Sequence, residues 1–263
     1  MRYMDYHTHS LYSFDGECEL RPMLAAAVQR GIQEVCFTDH LDFDMPEHHI
    51  PDFNARRQEL SDISRDFPQL TILQGAEVSL RDEVCARQAL EAIKDQSLDY
   101  ILGSIHTIEG EDVWRDCFYE GKSKETTYCD YLETVRRVLP SFPAFHALGH
   151  YDFVAKYAPY TDRAVTYTLC PEVLDDIFRY LIENGKTLEI NTASWQQSVP
   201  WGLDILKRFR TLGGEFVTVG SDTHGAERMG ARIEEALALA KTAGIPYLAA
   251  YRQGKPVLHK LSD

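Results

Sequence analysis

The chain contains no C-x-x-C pair. Its six cysteines, Cys18, Cys36, Cys85, Cys117, Cys129 and Cys170, are scattered. That spacing excludes a zinc ribbon and predicts reduced thiols rather than a disulfide framework. Long apolar runs are missing as well, and none approaches membrane-spanning length. The first residues lack the basic segment and apolar core that mark a secretory signal. The expectation is a soluble, cytoplasmic protein without a membrane partner. Positive charge is scarce: 27 Lys and Arg stand against 41 Asp and Glu, for a formal net charge of -14. Such a balance disfavours a polyphosphate backbone, because neutralising phosphates takes Lys and Arg, so nucleic acid is not an expected partner. Repeats, low-complexity tracts and obvious linkers are also absent, which predicts a single domain over residues 1–263.

What is present is an alternation. Short apolar, β-branched segments at Tyr3–His7, Glu34–Thr38, Thr71–Val78, Tyr100–Ile105, Ala144–Gly149, Thr187–Asn191 and Glu215–Gly220 read as strands. Amphipathic stripes lie between them. Leu20, Leu24, Val28 and Ile32 recur at four-residue spacing, with Pro22 where a first turn accepts it. Tyr128, Tyr131, Leu132, Val135 and Leu139 form a second stripe, and Val173, Leu174, Ile177 and Leu181 follow Pro171 as a third. Leu203, Leu206, Phe209 and Leu212 precede the stop signal Gly213-Gly214, and Met229, Ile233, Leu237 and Ala240 make the last. Strands alternating with helices imply an α/β protein with a parallel sheet.

The histidines favour a closed barrel over an open sheet. Of ten histidines, six fall at or just past a predicted strand's C-terminal end: His7, His9, His40, His106, His150 and His224. His7 and His9 are two apart, so on a strand they share a face. Glu77 and Asp222 occupy equivalent strand ends, and E-I-N offers Glu189 and Asn191. In a parallel barrel all strand C-termini ring one face. In an open sheet the outer ends lie too far apart for one site. A lone histidine or glutamate at such a place is more often a hydrogen-bonded or solvated residue than a ligand. Joint placement at nearly every strand end is different, since random placement would scatter these residues over helices and both ends. Imidazole and carboxylate without thiolate suit zinc, manganese or iron, and suit calcium poorly. The set is too large for one tetrahedral ion and about right for two or three divalent ions. Paired ions that share a water lower its pKa and stabilise both oxygens of an in-line displacement, which is the chemistry of phosphate ester hydrolysis.

These residues stand in motifs that resemble a known family. H-T-H at His7–His9, T-D-H at Thr38–His40, G-x-E at Gly75–Glu77, S-I-H ending at His106, G-H-Y-D around His150 and S-D-T-H at Ser221–His224 look like the motif set of the PHP (polymerase and histidinol phosphatase) superfamily. Length, motif order and the L-G-H-Y-D and E-I-N stretches are similar to its stand-alone histidinol-phosphate phosphatases. The resemblance spans about Tyr3 to about Gly230 and implies a distorted (β/α)7 TIM-like barrel. It implies a first metal on His7, His9, Glu77 and Asp222, and a second on Glu77 as bridge with His106 and His150. A third would take His40 and His224 with help from Asp15. Asp15 also reads as a plain turn residue. His146 reads as a core or lining residue. Glu77, Asp222 and His224 are the implied catalytic residues, and a metal-bound hydroxide would attack phosphorus in line.

Arg81, Lys156 and Asn191 are candidates for binding a small phosphorylated substrate, with L-histidinol phosphate foremost. Asp39 and Asp152 are expected to orient imidazole N–H groups. The acidic segment LDFDMPEHHIPDF offers Asp42, Asp44 or Glu47 to a substrate ammonium and His48 or His49 to the entrance. A solvated loop is the alternative there. Another small phosphate or nucleotide as substrate, a C–N hydrolase, and a non-catalytic metal-binding module remain open alternatives.

Overall fold

The computed structural model of the protein describes residues 2–43, 49–195 and 198–261. The elements run β1 (Met4–Thr8), α1 (Leu20–Gln29), β2 (Glu34–Phe37), β3 (His40–Asp42), α2 (Phe53–Ile63), β4 (Thr71–Ser79), α3 (Glu83–Ile93) and β5 (Tyr100–Ser104). A small hairpin follows, β6 (Thr107–Ile108) and β7 (Glu111–Asp112), then α4 (Lys124–Val138), β8 (Ala147–Leu148), α5 (Phe153–Tyr157), α6 (Pro171–Glu183) and β9 (Thr187–Asn191). The chain ends with α7 (Leu203–Thr211), β10 (Phe216–Gly220), α8 (Ile233–Thr242), β11 (Tyr247–Arg252) and β12 (Lys255–Lys260). Local chemistry places several helix starts. Asp52 accepts the N–H of Ala55, Asp82 those of Val84 and Cys85, and Ser123 that of Thr126, each satisfying donors that the first turn leaves orphaned. Pro171 occupies the first turn of α6.

The main sheet is mixed, in the order β1-β2-β4-β5-β8-β9-β10-β11-β12, with β3 joined to β4. Every pair from β1 to β11 is parallel, and β12 runs antiparallel to β11. The sheet curls until β1 meets the far end of β10. Asp222 donates its N–H to His7 O at 2.9 Å, and His9 donates to Thr223 O at 2.8 Å. Thr8 and Thr223 form a parallel bridge. The outcome is a barrel-like α/β sheet whose strand C-termini converge. β1, β2, β4, β5, β9 and β10 lie within a residue or two of the expected spans. β8 is shorter than expected, although ladder bonds continue on both sides, from His146 N–H to Ile101 O and from Gly149 N–H to Gly103 O.

β11 and β12 carry no counterpart in the sequence reading. β11 leaves β10 after two paired residues, Tyr247 and Leu248. Its far end then crosses the strand starts: Arg252 forks onto Glu34 at 2.7 Å, and the N–H groups of Gln253 and Gly254 reach Asp99. Gln253 and Gly254 both have positive φ, +50° and +74°, as the tight turn joining the two strands requires. A second correction concerns sulfur. Cys129 on α4 and Cys170 at the start of α6 are disulfide-bonded, their Cα atoms 5.9 Å apart, while Cys18, Cys36, Cys85 and Cys117 are free. The two partners are 41 residues apart in sequence and meet only because α4 packs against α6, so spacing could not reveal them. The cysteines therefore lend no support to a reducing compartment. Among the described residues, no helix is long and apolar enough to cross a membrane.

Candidate metal centre

The converging strand ends concentrate imidazoles around one carboxylate. Glu77 lies near the end of β4 and is 1% exposed. Its Oε2 lies 3.1 Å from His7 Nε2, 3.4 Å from His9 Nε2 and 3.3 Å from His40 Nδ1. Its Oε1 lies 2.7 Å from His150 Nε2 and 3.3 Å from His106 Nε2. Asp222 lies beside the same pair of rings, with Oδ1 3.6 Å from His7 Nε2 and 3.5 Å from His9 Nε2. On the outer side Asp15 Oδ2 lies 3.0 Å from His224 Nε2 and 3.4 Å from His40 Nε2. His9 stacks between His40 and His224, ring centroids 4.4 and 4.3 Å away.

Ligand atoms within 4.8 Å of one another form four overlapping groups: His9, Asp15, His40 and His224; His7, His150 and Asp222; His7, His9 and Glu77; His40, Glu77 and His106. All nine residues expected as ligands are in them. The groups overlap at more than the expected bridge Glu77: His7, His9 and His40 also belong to two groups each. One carboxylate touches rings from β1, β3 and the ends of β5 and β8, so the groups share members.

The electrostatics follow from burial against pairing. Burial alone would raise Glu77, but His7, His40 and His106 outweigh it and hold the carboxyl well below its ordinary range. Asp222 is also burial-opposed and is held low chiefly by Lys156 and then His7. His9 goes the other way: burial, with His40 and His224 beside it, pushes it down to about 3. A neutral imidazole is the ligand form. His9 Nε2, His40 Nδ1 and His150 Nδ1 are buried and make no hydrogen bond. Leaving such atoms unsatisfied is costly, and a cation held by nitrogen and oxygen donors removes that cost at the first two, which face Glu77. The donor set therefore fits divalent ions.

Asp15, His40, Glu77, His106, His150, Asp222 and His224 form the floor of a cavity of about 300 Å³, which His7 and His9 do not line. Lys156 and Asp42 stand on its wall, and Phe14, Trp114, Phe153 and Tyr157 supply apolar surface. A larger groove of about 980 Å³ beside α4 holds none of the candidate ligands, and chemistry, not volume, marks the site. Lys156 donates to Asp222 Oδ2 at 2.8 Å. Asp42 is 1% exposed, with Oδ2 3.5 Å from His40 Nδ1 and Oδ1 unpartnered.

The remaining candidates have different surroundings. Arg81 pairs with Asp82 at 3.0 Å and is absent from the cavity wall. Asn191 is buried behind the ligands, its amide 3.2 Å from Glu189 and 3.4 Å from Asp222, so it braces them rather than facing the cavity. Among the described residues Asp39 meets no imidazole; it accepts from Ser10 and pairs with the fully buried Arg56. Asp152 likewise accepts from Ser194 at 2.8 Å and Trp201 Nε1 at 2.6 Å. His146 is remote from the cluster, its Nδ1 accepting the N–H of Ile101 at 2.8 Å. His49 stacks on Phe14 at 4.1 Å. Asp44, Glu47 and His48 lie outside the described residues. The orienting role expected of Asp39 and Asp152 belongs to Glu189. Its Oε1 lies 2.8 Å from His7 Nδ1, and its Oε2 accepts the backbone N–H of His150 at 2.9 Å. E-I-N carried the signal, since Glu189 and Asn191 share a strand face.

The family profile described as PHP domain matches residues 5–193. A Lactococcus lactis histidinol-phosphatase is 33% identical over 259 residues, covering 95% of each chain. A Thermotoga maritima protein described as a probable histidinol-phosphatase is 32% identical over 251 residues, covering 94% of each. Among solved structures, histidinol phosphate phosphatase from Lactococcus lactis, complexed with zinc, L-histidinol and phosphate, superposes with a TM-score of 0.89 at 32% identity. That match covers 97% of this chain and 99% of the other. A chain from a study of metal-dependent tyrosine phosphatases of Bacillus subtilis and Streptococcus pneumoniae shares the fold at a TM-score of 0.51 and 20% identity, covering 90% of this chain and 86% of that chain.

Proposed function

Because the chain belongs to the PHP superfamily and within it to the histidinol-phosphatase branch, we propose that it hydrolyses L-histidinol phosphate to L-histidinol and phosphate. The metal-dependent hydrolase class rests on the clustered ligands together with the family. The single observation that carries the reading is Glu77, one buried carboxylate within 3.4 Å of five imidazoles on the floor of a cavity sized for a small molecule. The substrate assignment draws support from the Lactococcus lactis relative, whose structure holds zinc, L-histidinol and phosphate.

In this reading residues 1–263 act as one PHP-type domain whose sheet closes as a distorted (β/α)7 barrel. His7, His9, Asp15, His40, Glu77, His106, His150, Asp222 and His224 hold two or three zinc, manganese or iron ions. Such ions, when bound, would lower the pKa of a water and neutralise phosphoryl oxygens. The chain's own residues do the positioning. Glu77 would hold ions together with the imidazoles around it, and Glu189 fixes the His7 ring through Nδ1, leaving Nε2 toward the centre. Lys156 is held charged by Asp222 and brings a cation to the cavity wall, where a phosphoryl oxygen would sit. The aromatic side chains exclude water around the rest of the substrate.

The test is phosphate release from L-histidinol phosphate by metal-reconstituted protein. Phosphoserine, a nucleoside monophosphate, an aryl phosphate and single-stranded DNA run beside it. Strong preference for L-histidinol phosphate is expected. Turnover spread over other esters, with L-histidinol phosphate poor, would keep the phosphoesterase and discard this substrate.

A further inference from the structure

Asp5 lies in β1, two residues before His7, and is fully buried. Its Oδ1 accepts the backbone N–H of Ser221 at 2.8 Å, and its Oδ2 accepts the Ser221 hydroxyl at 2.5 Å and the backbone N–H of Gly230 at 2.8 Å. A longer bond of 3.4 Å comes from the N–H of His7. Ser221 and Gly230 bracket the segment after β10 that carries Asp222 and His224. One carboxylate thus pins both ends of that segment to the strand that presents His7 and His9.

The backbone shows why a pin is needed. Asp222 sits at φ +50° and Gly230 at +67°. For a residue with a side chain, the left-handed region costs about 1–2 kcal/mol and persists only when its surroundings enforce it. The ladder at this seam is thin, resting on the bonds of Asp222 and His9 and the single Thr8–Thr223 bridge. Yet the seam sets the spans that matter, from Asp222 Oδ1 to His7 at 3.6 Å and to His9 at 3.5 Å, and between the His9 and His224 rings at 4.3 Å.

Resting on the metal-centre reading above, we propose that Asp5 is a positioning residue for the ion site: it sets the spacing between the Asp222–His224 segment and the His7–His9 pair. The experiment is calorimetric titration of the chelator-stripped full chain with Zn²⁺, in wild type, Asp5→Asn, Ser221→Ala and Glu34→Gln. Asparagine has the shape of aspartate but a donor NH2 in place of one oxygen, so in either orientation it loses either the backbone N–H of Ser221 or the pair formed by the Ser221 hydroxyl and the Gly230 N–H. Asp5→Asn is expected to weaken at least one Zn²⁺ by about 10–100-fold, with turnover recovered by excess zinc. Ser221→Ala removes only the hydroxyl bond and gives a smaller weakening. Glu34→Gln disturbs a comparable buried acid at the other end of the strands. It lowers stability and leaves zinc affinity intact, which separates positioning from general support. Should Asp5→Asn fail to fold, Ser221→Ala carries the comparison. Wild-type binding matched by both seam variants would overturn the proposal. A wild type that binds no Zn²⁺ would instead overturn the metal reading beneath it.

Discussion

The two ends of the strands both bury charge, and they handle it differently. At the strand starts the buried charges are paired within the chain, although Arg2 Nε, Tyr251 Oη and His259 Nε2 make no hydrogen bond. Glu34, 0% exposed, is forked by Arg252 and joined by Arg2 at 3.2 Å. His146 accepts from Ile101, and Lys186 donates to the carbonyls of Pro143 and Phe145 at 2.6 and 2.5 Å. The β11–β12 hairpin covers this end. At the strand C-termini, by contrast, carboxylates are shared among several rings, and buried imidazole nitrogens remain without a hydrogen bond. At one end the charges pair within the chain. At the other, imidazole nitrogens around one shared carboxylate are left without partners that outside cations would supply. It is this concentration of unpartnered ligand atoms, rather than any single one, that points to a ligand.

Substitutions at each end test this contrast. The largest effect is expected at Glu77. Glu77→Gln removes the charge that five rings share, and phosphatase activity should fall by more than about 100-fold with loss of bound metal, as elemental analysis of the purified variant would register. Normal activity in that variant would remove the centre of the site. At the closed end, Arg252→Met leaves Glu34 buried with a weaker partner. Urea denaturation of the metal-loaded protein should show a stability loss of about 3 kcal/mol with turnover unchanged. A loss of turnover without a loss of stability would reverse the roles of the two ends. Between them stands Glu189→Gln, which weakens the brace on His7. Metal affinity should drop by about 10–100-fold while the fold holds, and unchanged affinity would assign Glu189 a packing role only.

The smallest effect concerns pH. Burial, with Lys186 nearby, pushes His146 down to about 4 from an ordinary 6.5. In the unfolded chain this ring takes its proton first as pH falls. The stability it supplies is full above pH 6.5 and is lost progressively down to about pH 4, on the order of 2–3 kcal/mol. His146→Asn keeps an acceptor for Ile101 and should flatten that part of the pH–stability curve relative to wild type. An unchanged slope would show that the ring titrates normally.

How far the sequence could be read also divides along these two ends. The catalytic face was legible because it depends on short-range periodicity. H-T-H places two rings on one strand face, G-x-E and S-D-T-H end strands, and a barrel-like sheet brings strand ends together. The sharing of Glu77 by five rings was not legible, since it is set by distances between strands far apart in sequence. Asp39 and Asp152 were misassigned for the same reason: Arg56, Ser194 and Trp201 reach them only through the fold. The closed end was nearly silent. The alternation in β11 is blurred by the pair Ala249-Ala250, and β12 is exposed along most of its length, so neither announces a buried face. Likewise α2, α3 and α5 were not singled out: α2 is polar on average, and α3 buries only the small side chains Cys85, Ala86 and Ala89.

The most direct test of the central claim is metal stoichiometry in the wild-type protein. Chelator-stripped chain would be titrated with Zn²⁺ and Mn²⁺ and its thermal unfolding followed in parallel. Two or three tightly held ions per chain are expected, with unfolding shifted upward by occupancy. A stripped chain that takes up no tight ion and unfolds at the same temperature with and without metal would contradict it.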